Sequence, residues 1–407
     1  MSFTAPTILW AGLTPVAVIL GAAVLGVLLE AFVPRRARPV LQPVLAILAI
    51  LGAGAGVVVR WRAVEAGVGA SLTAGFDEDP FGVAAQGIML VIGLLAVLVM
   101  ADRTTADDGA FAAQAADRPG SAEEAESLHA GWTGTEVFPL TLFSLGGMML
   151  FPLSSNLIAL FVMLELVSLP LYIMAAMARH RRLLSQEAAL KYFVLGAFAS
   201  AFLLMGAALL YGFSGSVSYT DIAAAIRYGA VPGMDRLMLA GAALVVVGLL
   251  FKIAAVPFHA WSPDVYQGAP TPVTGFMAAG VKATAFLALV RFAYIAVAGL
   301  SWDLAPVLWA VSLATMAVGT VVGVVQRDVK RMLAYSAIAH AGYMLIGIIS
   351  LNQQGVAAHA AIAPSVLQLR RQNLPPLFLC RLLPDSEPCP QPQRTDRSLL
   401  PHFQHTA

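Results

Sequence analysis

Cysteine is almost missing from this chain of 407 residues, since its only two cysteines, Cys380 and Cys389, lie near the C-terminus. The residues before them offer no thiolate for a disulfide, an iron–sulfur cluster or a cysteine zinc site. Phosphate-loop, dinucleotide-loop and H-E-x-x-H motifs are missing as well. We therefore expect no cofactor or metal in this chain. Work driven by ATP is not expected either, so any energy would have to come from an ion gradient or a partner protein.

Charge is also scarce, because Asp, Glu, Lys and Arg make up only 12% of the residues and the formal net charge is +1. A nucleic-acid partner would require a basic patch or stripe, which the sequence does not contain. In contrast, 59% of the residues are hydrophobic. This balance is typical of a protein whose main partner is the lipid bilayer.

Continuous apolar runs of about 20 residues, the length that spans the hydrocarbon core, recur along the chain. They predict an all-α polytopic membrane protein with about ten transmembrane helices, at residues 8–33, 40–59, 81–100, 138–153, 156–177, 188–212, 238–257, 272–298, 304–325 and 332–351. The runs do not alternate between apolar and polar residues, so we expect no strands. No basic stretch precedes the first run, which predicts a retained helix rather than a cleaved signal peptide.

Basic residues fall mainly in every second loop. The odd-numbered loops carry Arg35, Arg36, Arg38, Arg103, Arg118, Arg179, Arg181, Arg182, Arg327, Lys330 and Arg331. The even-numbered loops carry only Arg60, Arg62, Arg227 and Arg236. Basic loops stay in the cytoplasm, so we expect the N-terminus outside.

Two segments differ from the rest. The loop at 101–137 is acidic and polar, and we expect it to be solvated and to carry no chemistry. After residue 351, prolines and arginines interrupt every apolar stretch before it reaches spanning length. The tail at 352–407 is therefore predicted to be disordered or to be translated out of frame.

Four ionisable side chains, Glu165, Lys191, Lys252 and Lys282, lie within the predicted spans. A charge at that depth costs at least ~2.5 to 3.5 kcal/mol, so such residues indicate a function. Glu165 is near the middle of its span and is the only acid that deep. It is either one half of a proton site or a structural partner that neutralises a neighbouring lysine.

Lys252 and Lys282 bracket a segment that contains prolines. Pro257 follows Lys252 by five residues and disrupts the helix there, and broken helices mark ion sites in transporters. Lys252 alternatively reaches the membrane surface with its long side chain, whereas Lys282 lies too deep for its side chain to reach water easily. A lysine withdrawn from water gives up its proton more easily, and an acid such as Glu165 would hold the proton until it moves away.

The other candidates are less deeply placed. Lys191 lies only a few residues into its span, where it either relays protons or contacts water and lipid headgroups. His340 either relays protons or is a hydrogen-bonded core residue. His259 and Asp264 are expected at the cytoplasmic mouth of the break. We interpret two further basic residues near span ends as interfacial anchors, namely Arg291 and Lys330.

The sequences of four segments resemble those of the antiporter-like membrane subunits of respiratory complex I, the proton-pumping NADH–quinone oxidoreductase. These segments are LELVSLPLYIM, ALKYFVLGAFASAFLLMGAALLYG, FKIAAVPFHAWSPDVYQGAPTPVTGFMAAGVK and DVKRMLAYSAIAHAGYMLIG. The PDVYQGAPTPV wording resembles the subunit N branch, since the sister subunits usually read PDAH there.

This resemblance implies an antiporter-like fold with two inverted five-helix repeats, each containing a broken helix. The chain would consist of N-terminal helices at 1–100, the loop at 101–137, the first repeat at 138–300, the start of the second repeat at 301–351 and the tail. Because the sequence has no lysine after Lys330, we expect the second repeat to be incomplete.

The resemblance also implies roles for the buried charges. Glu165 and Lys252 would form a Glu–Lys pair, Lys282 would be the central lysine and Lys191 an additional relay. Proton translocation would be coupled to quinone reduction elsewhere, with NAD, FMN, iron–sulfur clusters and quinone in partner subunits. The chain would be a multi-pass protein of the bacterial plasma (inner) membrane, next to the other membrane subunits. Two alternatives stay open, a stand-alone cation/proton antiporter and an inactive truncated product of a complex I subunit gene.

Overall fold

The computed structural model describes residues 8–67, 71–73, 75–102, 110–112, 121–130, 134–179, 181–229 and 233–349. They belong to the first of two units, Met1–Val356. The tail predicted at 352–407 lies outside the described residues.

Helices make up almost all of the described structure. They are α1 (Trp10–Phe32), α2 (Arg38–Glu65), α3 (Pro80–Ala101), α4 (Ala122–His129), α5 (Val137–Leu150), α6 (Leu157–Ala175), α7 (Arg182–Ser214), α8 (Tyr219–Tyr228), α9 (Asp235–Ile253), α10 (Trp261–Gly268), α11 (Thr271–Phe276), α12 (Lys282–Arg291), α13 (Ser301–Val324) and α14 (Val329–Ile349). In this part of the chain, nine helical stretches are long and apolar enough to cross a membrane, and Val137–Leu153 is a shorter apolar one. The predicted all-helical membrane fold with about ten spans is confirmed.

A small hairpin is the exception, so the expectation of no strands is wrong in this detail. Strand β1 (Ser71–Thr73) pairs antiparallel with β2 (Phe76–Asp77) between α2 and α3. Gly75 makes the turn possible, because its φ of +109° is a conformation that side chains disfavour. Leu72 is fully buried, and its carbonyl accepts a hydrogen bond from the Leu9 amide at 2.8 Å, so the hairpin holds the start of α1.

Loops of the same parity contact each other, as expected when successive helices cross the membrane in opposite directions. On the even side, isolated bridges join loops two, four and six through Phe76 with Ser154 and Asn156 with Ser218. On the odd side, Phe111 bridges to Ala178. Phe111 is only 6% exposed and belongs to the hydrophobic core, so the loop at 101–137 is not solvated throughout.

Glycines allow α7 and α9 to pack closely. A Cβ atom on Gly206 would lie 2.6 Å from the Val245 amide nitrogen and 2.7 Å from the Gly241 carbonyl oxygen. Small residues at such contacts let helix backbones approach each other in a membrane. This packing fixes α9, the helix that carries Lys252, against the long helix α7.

Two helices are interrupted near the centre of the fold. Helix α9 ends at Ile253, where Ala254 takes a left-handed conformation with φ of +62°, and α10 begins at Trp261, beyond Val256 and Pro257. The predicted proline-broken helix is confirmed. The stretch Thr271–Ala296, which corresponds to the predicted span at 272–298, contains π-helical turns at Met277–Val281 and Phe292–Ala296. Such turns are frequent at functional sites, and the first of them places Lys282 directly after it.

Candidate functional site: buried lysines beside a broken helix

Lys252 lies in the last turn of α9 and is only 2% exposed. Its Nζ donates hydrogen bonds to Ser168 Oγ at 2.7 Å and to Tyr172 OH at 3.4 Å. The same nitrogen lies 5.5 Å from the centre of the Tyr172 ring and 5.7 Å from that of Tyr192. Hydroxyl groups and aromatic faces therefore replace the water that an ammonium group would otherwise require.

Glu165 lies on α6, half-buried, one turn before Ser168. Its Oε1 accepts a hydrogen bond from the hydroxyl of Ser200 on α7. Among the described residues, Glu165 forms no direct ion pair, with Lys252 or with any other basic residue. The structure thus places the two predicted partners on neighbouring helices, but each of them is bound to a serine.

Lys282 begins α12 and is 3% exposed. Its Nζ lies 5.9 Å from the centre of the Tyr266 ring, and in the described structure it has no hydrogen-bond partner. Burying a charged group without a partner costs several kcal/mol. An amine in such surroundings changes its protonation readily when the surroundings change, which makes Lys282 a candidate functional group.

A row of aromatic side chains connects the surroundings of the two lysines. Tyr192, beside Lys252, stacks on Trp261 with ring centres 4.9 Å apart. Trp261 meets Tyr266 edge-on at 6.0 Å, and Tyr266 lies beside Lys282. All three rings are at most 2% exposed. Because Trp261 and Tyr266 are on α10, the short helix after the break, that helix separates the two lysines.

Lys191 belongs to a charged cluster at the edge of the fold. Its Nζ contacts Glu187 Oε1 at 2.7 Å and Asp264 Oδ2 at 3.0 Å, and its side chain is 42% exposed. Asp264 also binds Arg331 Nη1 at 2.6 Å. Helix α7 begins at Arg182, before the predicted span at 188–212, so Lys191 lies further into the helix than into the apolar run.

This cluster ties α10 to the start of α14. Gln267 accepts a hydrogen bond from Arg331 at 3.1 Å and donates one to Asp328 at 3.1 Å. Asp328 also caps α14, because its Oδ1 accepts from the Arg331 amide at 3.2 Å. That backbone hydrogen bond and the one from Gln267 outweigh partial burial, and the pKa of Asp328 lies below its ordinary value. Lys330 donates to the Ala269 carbonyl at 3.1 Å, so it fastens α14 to the end of α10.

Two predicted residues lie apart from the buried lysines. His340 is exposed on α14, where its Nδ1 is 2.7 Å from the Ser336 carbonyl oxygen. His259 is half-buried in the break, with its ring centre 6.4 Å from that of Tyr335. Neither residue forms a hydrogen bond or an ion pair with Glu165, Lys252 or Lys282 in the part of the chain that the structure describes.

The interpretation of Arg291 as an interfacial anchor is wrong. Its side chain is 3% exposed, and its Nη2 binds both carboxylate oxygens of Asp79, at 2.6 and 2.7 Å. The pair joins α12 to the N-terminus of α3. No local sequence pattern predicts this contact, because the two residues are far apart in the sequence.

Ser168 and Ser200 were not among the site residues predicted from the sequence. Ser168 follows Glu165 by three residues, a spacing that puts both on one helix face, and this signal was available in the sequence.

Within the described ranges there is no group of three or more His, Cys, Asp or Glu side chains placed to hold a metal ion.

Comparison with known sequences identifies the family of this chain. The family model described as NADH:quinone oxidoreductase/Mrp antiporter, transmembrane, matches residues 154–363. NADH-quinone oxidoreductase subunit N of Beutenbergia cavernae is 50% identical over 366 residues, which cover 88% of this chain and 68% of the relative. The subunit N of Acidothermus cellulolyticus is 52% identical over 341 residues, covering 84% of this chain and 65% of the relative.

Solved structures extend the likeness to three dimensions. A chain of respiratory complex I from Thermus thermophilus with bound aureothin matches with a TM-score of 0.63 and 32% identity, covering 86% of this chain and 69% of that one. A chain of the Mrp complex from a Dietzia species matches with a TM-score of 0.68 at 22% identity, covering 85% and 61%, and shows the shared fold alone. The chain thus belongs to the family of subunit N of NADH-quinone oxidoreductase, the antiporter-like membrane subunits of respiratory complex I.

Proposed function

We propose that this chain carries protons across the bacterial plasma membrane through Glu165, Lys252 and Lys282 when quinone reduction elsewhere in the complex drives the movement. The observation that supports this most is the burial of two lysines on either side of one short helix, α10, next to a break in the backbone. Irregular backbone is tolerated at membrane depth where it is buried in protein or lines a hydrated cavity. Buried lysines at such a place are suited to proton exchange.

The charged cluster suggests the side of entry. Lys191 and Asp264 are partly exposed and lie on the odd-loop side, which the distribution of arginines assigns to the cytoplasm. Asp264 is on α10, as are Trp261 and Tyr266. A proton taken up at this cluster would pass along α10 to Lys252, and then to Lys282, when the helix shifts. The N-terminus would lie outside the cell.

We place His340 in a separate proton-transfer step, apart from Glu165, Lys252 and Lys282. It is exposed on α14, so a relay through its ring requires a partner from another part of the chain or from a neighbouring subunit. The partners in this proposal are the other membrane subunits of the complex, with NAD, FMN, iron–sulfur clusters and quinone bound outside this chain.

The test is proton pumping by inside-out membrane vesicles that carry the assembled complex with Lys252→Met or Lys282→Met. Methionine keeps most of the side-chain volume and removes the amine. We expect pumping to fall at least tenfold in both variants, since one relay group contributes about 10²- to 10⁴-fold in proton-transfer reactions. Arg236→Met is the matched control, because Arg236 is exposed on the same helix as Lys252. Normal pumping by either lysine variant at normal assembly would remove that residue from the path.

The fold shared with the Mrp complex supports a second candidate, a stand-alone cation/proton antiporter. Purification under mild conditions separates the two proposals. A complex I subunit would copurify with NADH-oxidising activity, whereas an antiporter would exchange sodium or potassium for protons in vesicles that contain this chain alone.

A further inference from the structure

Glu165 and Lys252 are both held by serine hydroxyls. The Lys252 ammonium donates to Ser168 at 2.7 Å, and Ser168 in turn donates to the Leu164 carbonyl. The Ser200 hydroxyl donates to the Glu165 carboxylate and lies 3.1 Å from the Gly196 carbonyl oxygen. Each charged group therefore has a neutral hydrogen-bond partner of its own. The two groups do not form a direct ion pair with each other, and we call this arrangement the open pair.

The surrounding helices are shaped to hold Lys252 in this position. The Tyr172 hydroxyl, the second acceptor for Lys252, occupies the space where a side chain on residue 196 would begin, and only glycine at Gly196 leaves room for it. Tyr172 and Ser168 are one turn apart on α6 and present their hydroxyls to the same ammonium group. The site for the lysine is thus built from two helices.

Opposite charges in a low-dielectric interior attract strongly, so an open pair requires competing partners. Hydrogen bonds to charged groups are stronger than those between neutral groups, and each shifts a two-state equilibrium by roughly ten- to a hundredfold. Two such bonds, one on each charge, are of the right size to keep the pair open, and loss of either one would let it close.

This inference rests on the proposed function. We propose that Ser168 and Ser200 are positioning residues that hold Lys252 and Glu165 apart, so that the ion pair closes only when these hydroxyls release them. No covalent bond changes in this step, because each serine keeps its own proton and exchanges only hydrogen-bond partners. The two serines set how easily the Glu–Lys pair alternates between open and closed, and hence how fast it passes a proton.

The test uses the assembled complex in inside-out vesicles, with proton pumping measured per complex and per NADH oxidised. Ser168→Ala is expected to slow pumping by about tenfold, the effect of one hydrogen bond to a charge. Ser168→Thr retains the hydroxyl and is expected to restore most of the rate. Ser144→Ala is the matched control, because Ser144 is equally buried but donates to the Val167 backbone carbonyl, at 2.9 Å, and touches neither charge.

A double variant separates positioning from packing. In Glu165→Gln the lysine has no carboxylate to close onto, so adding Ser168→Ala should slow pumping much less than it does in the parent chain. The proposal is overturned if Ser168→Ala pumps like Ser144→Ala, if Ser168→Thr is as slow as Ser168→Ala, or if the two effects multiply independently. If instead Glu165→Gln itself pumps normally, the proposed function fails, whatever the serine variants do.

Discussion

Asp79→Asn should weaken the attachment of the N-terminal helices to the rest of the chain. Asp79 binds Arg291 with both carboxylate oxygens, and the same carboxylate caps α3 by accepting a hydrogen bond from the Gly82 amide at 2.7 Å. Asparagine is as good a helix cap as aspartate, so this substitution removes the ion pair and leaves the cap. The neutral side chain then faces a guanidinium group that remains buried.

The size of the effect follows from the exposure of the two partners. Removing one member of a fully buried pair costs about 3 to 5 kcal/mol, whereas an exposed pair is worth at most about 1 kcal/mol. Arg291 is 3% exposed and Asp79 is 40% exposed, so we expect an intermediate cost of about 2 kcal/mol for Asp79→Asn. Asp79→Ala also removes the cap and should cost about 1 kcal/mol more.

Heating the solubilised complex tests whether Asp79→Ala loses more stability than Asp79→Asn. The midpoint temperature at which the chain is lost from solution should fall by a few degrees in Asp79→Asn and further in Asp79→Ala. The double variant Asp79→Asn with Arg291→Met should recover part of the loss, because it no longer leaves a buried charge unpaired. Equal midpoints for Asp79→Asn and the parent, or a double variant that loses more stability than the two single variants together, would show that this ion pair does not stabilise the chain.

Two further predictions concern packing and pH. Gly206→Ala should destabilise the chain by about 1 to 3 kcal/mol, because its Cβ would overlap the α9 backbone. Gly212→Ala is the control, because its Cβ would meet only Leu237 at 3.7 Å, and it should be neutral or slightly stabilising. Equal thermal midpoints for the two variants would contradict this prediction. The pKa of Asp328 is lower in the folded chain than its ordinary value, so the stability that it contributes is present above about pH 4 and is lost as the pH falls through the folded pKa. Asp328→Asn should therefore lose less stability than the parent when the pH is lowered through that range, and identical pH profiles would count against the capping role.

The membrane spans and the helix break could be predicted from the sequence because both depend on local patterns. An apolar run of sufficient length forms a helix in lipid, where every backbone group must be paired internally. Pro257 marks the break for an equally local reason, since proline lacks an amide proton. The depth of Lys252 and Lys282 within their spans likewise follows from counting along the chain, and both are buried in the structure.

Contacts between distant segments could not be predicted from the sequence. Arg291 looked like an anchor at a span end, yet it lies on α12 and is paired with Asp79, at the N-terminus of α3. The start of α7 was placed too late because its first residues are polar, although the helix continues through them. That Glu165 and Lys252 are held apart by serines depends on the relative placement of α6, α7 and α9, which no single segment encodes.

A high-resolution map of the chain within its assembled complex would test the proton path most directly. We expect ordered water molecules within hydrogen-bond distance, about 2.6 to 3.2 Å, that link Glu165, Lys252 and Lys282 to one another and to the cluster at Asp264. Closely packed apolar side chains around both lysine amines, with no water reaching either of them, would contradict it.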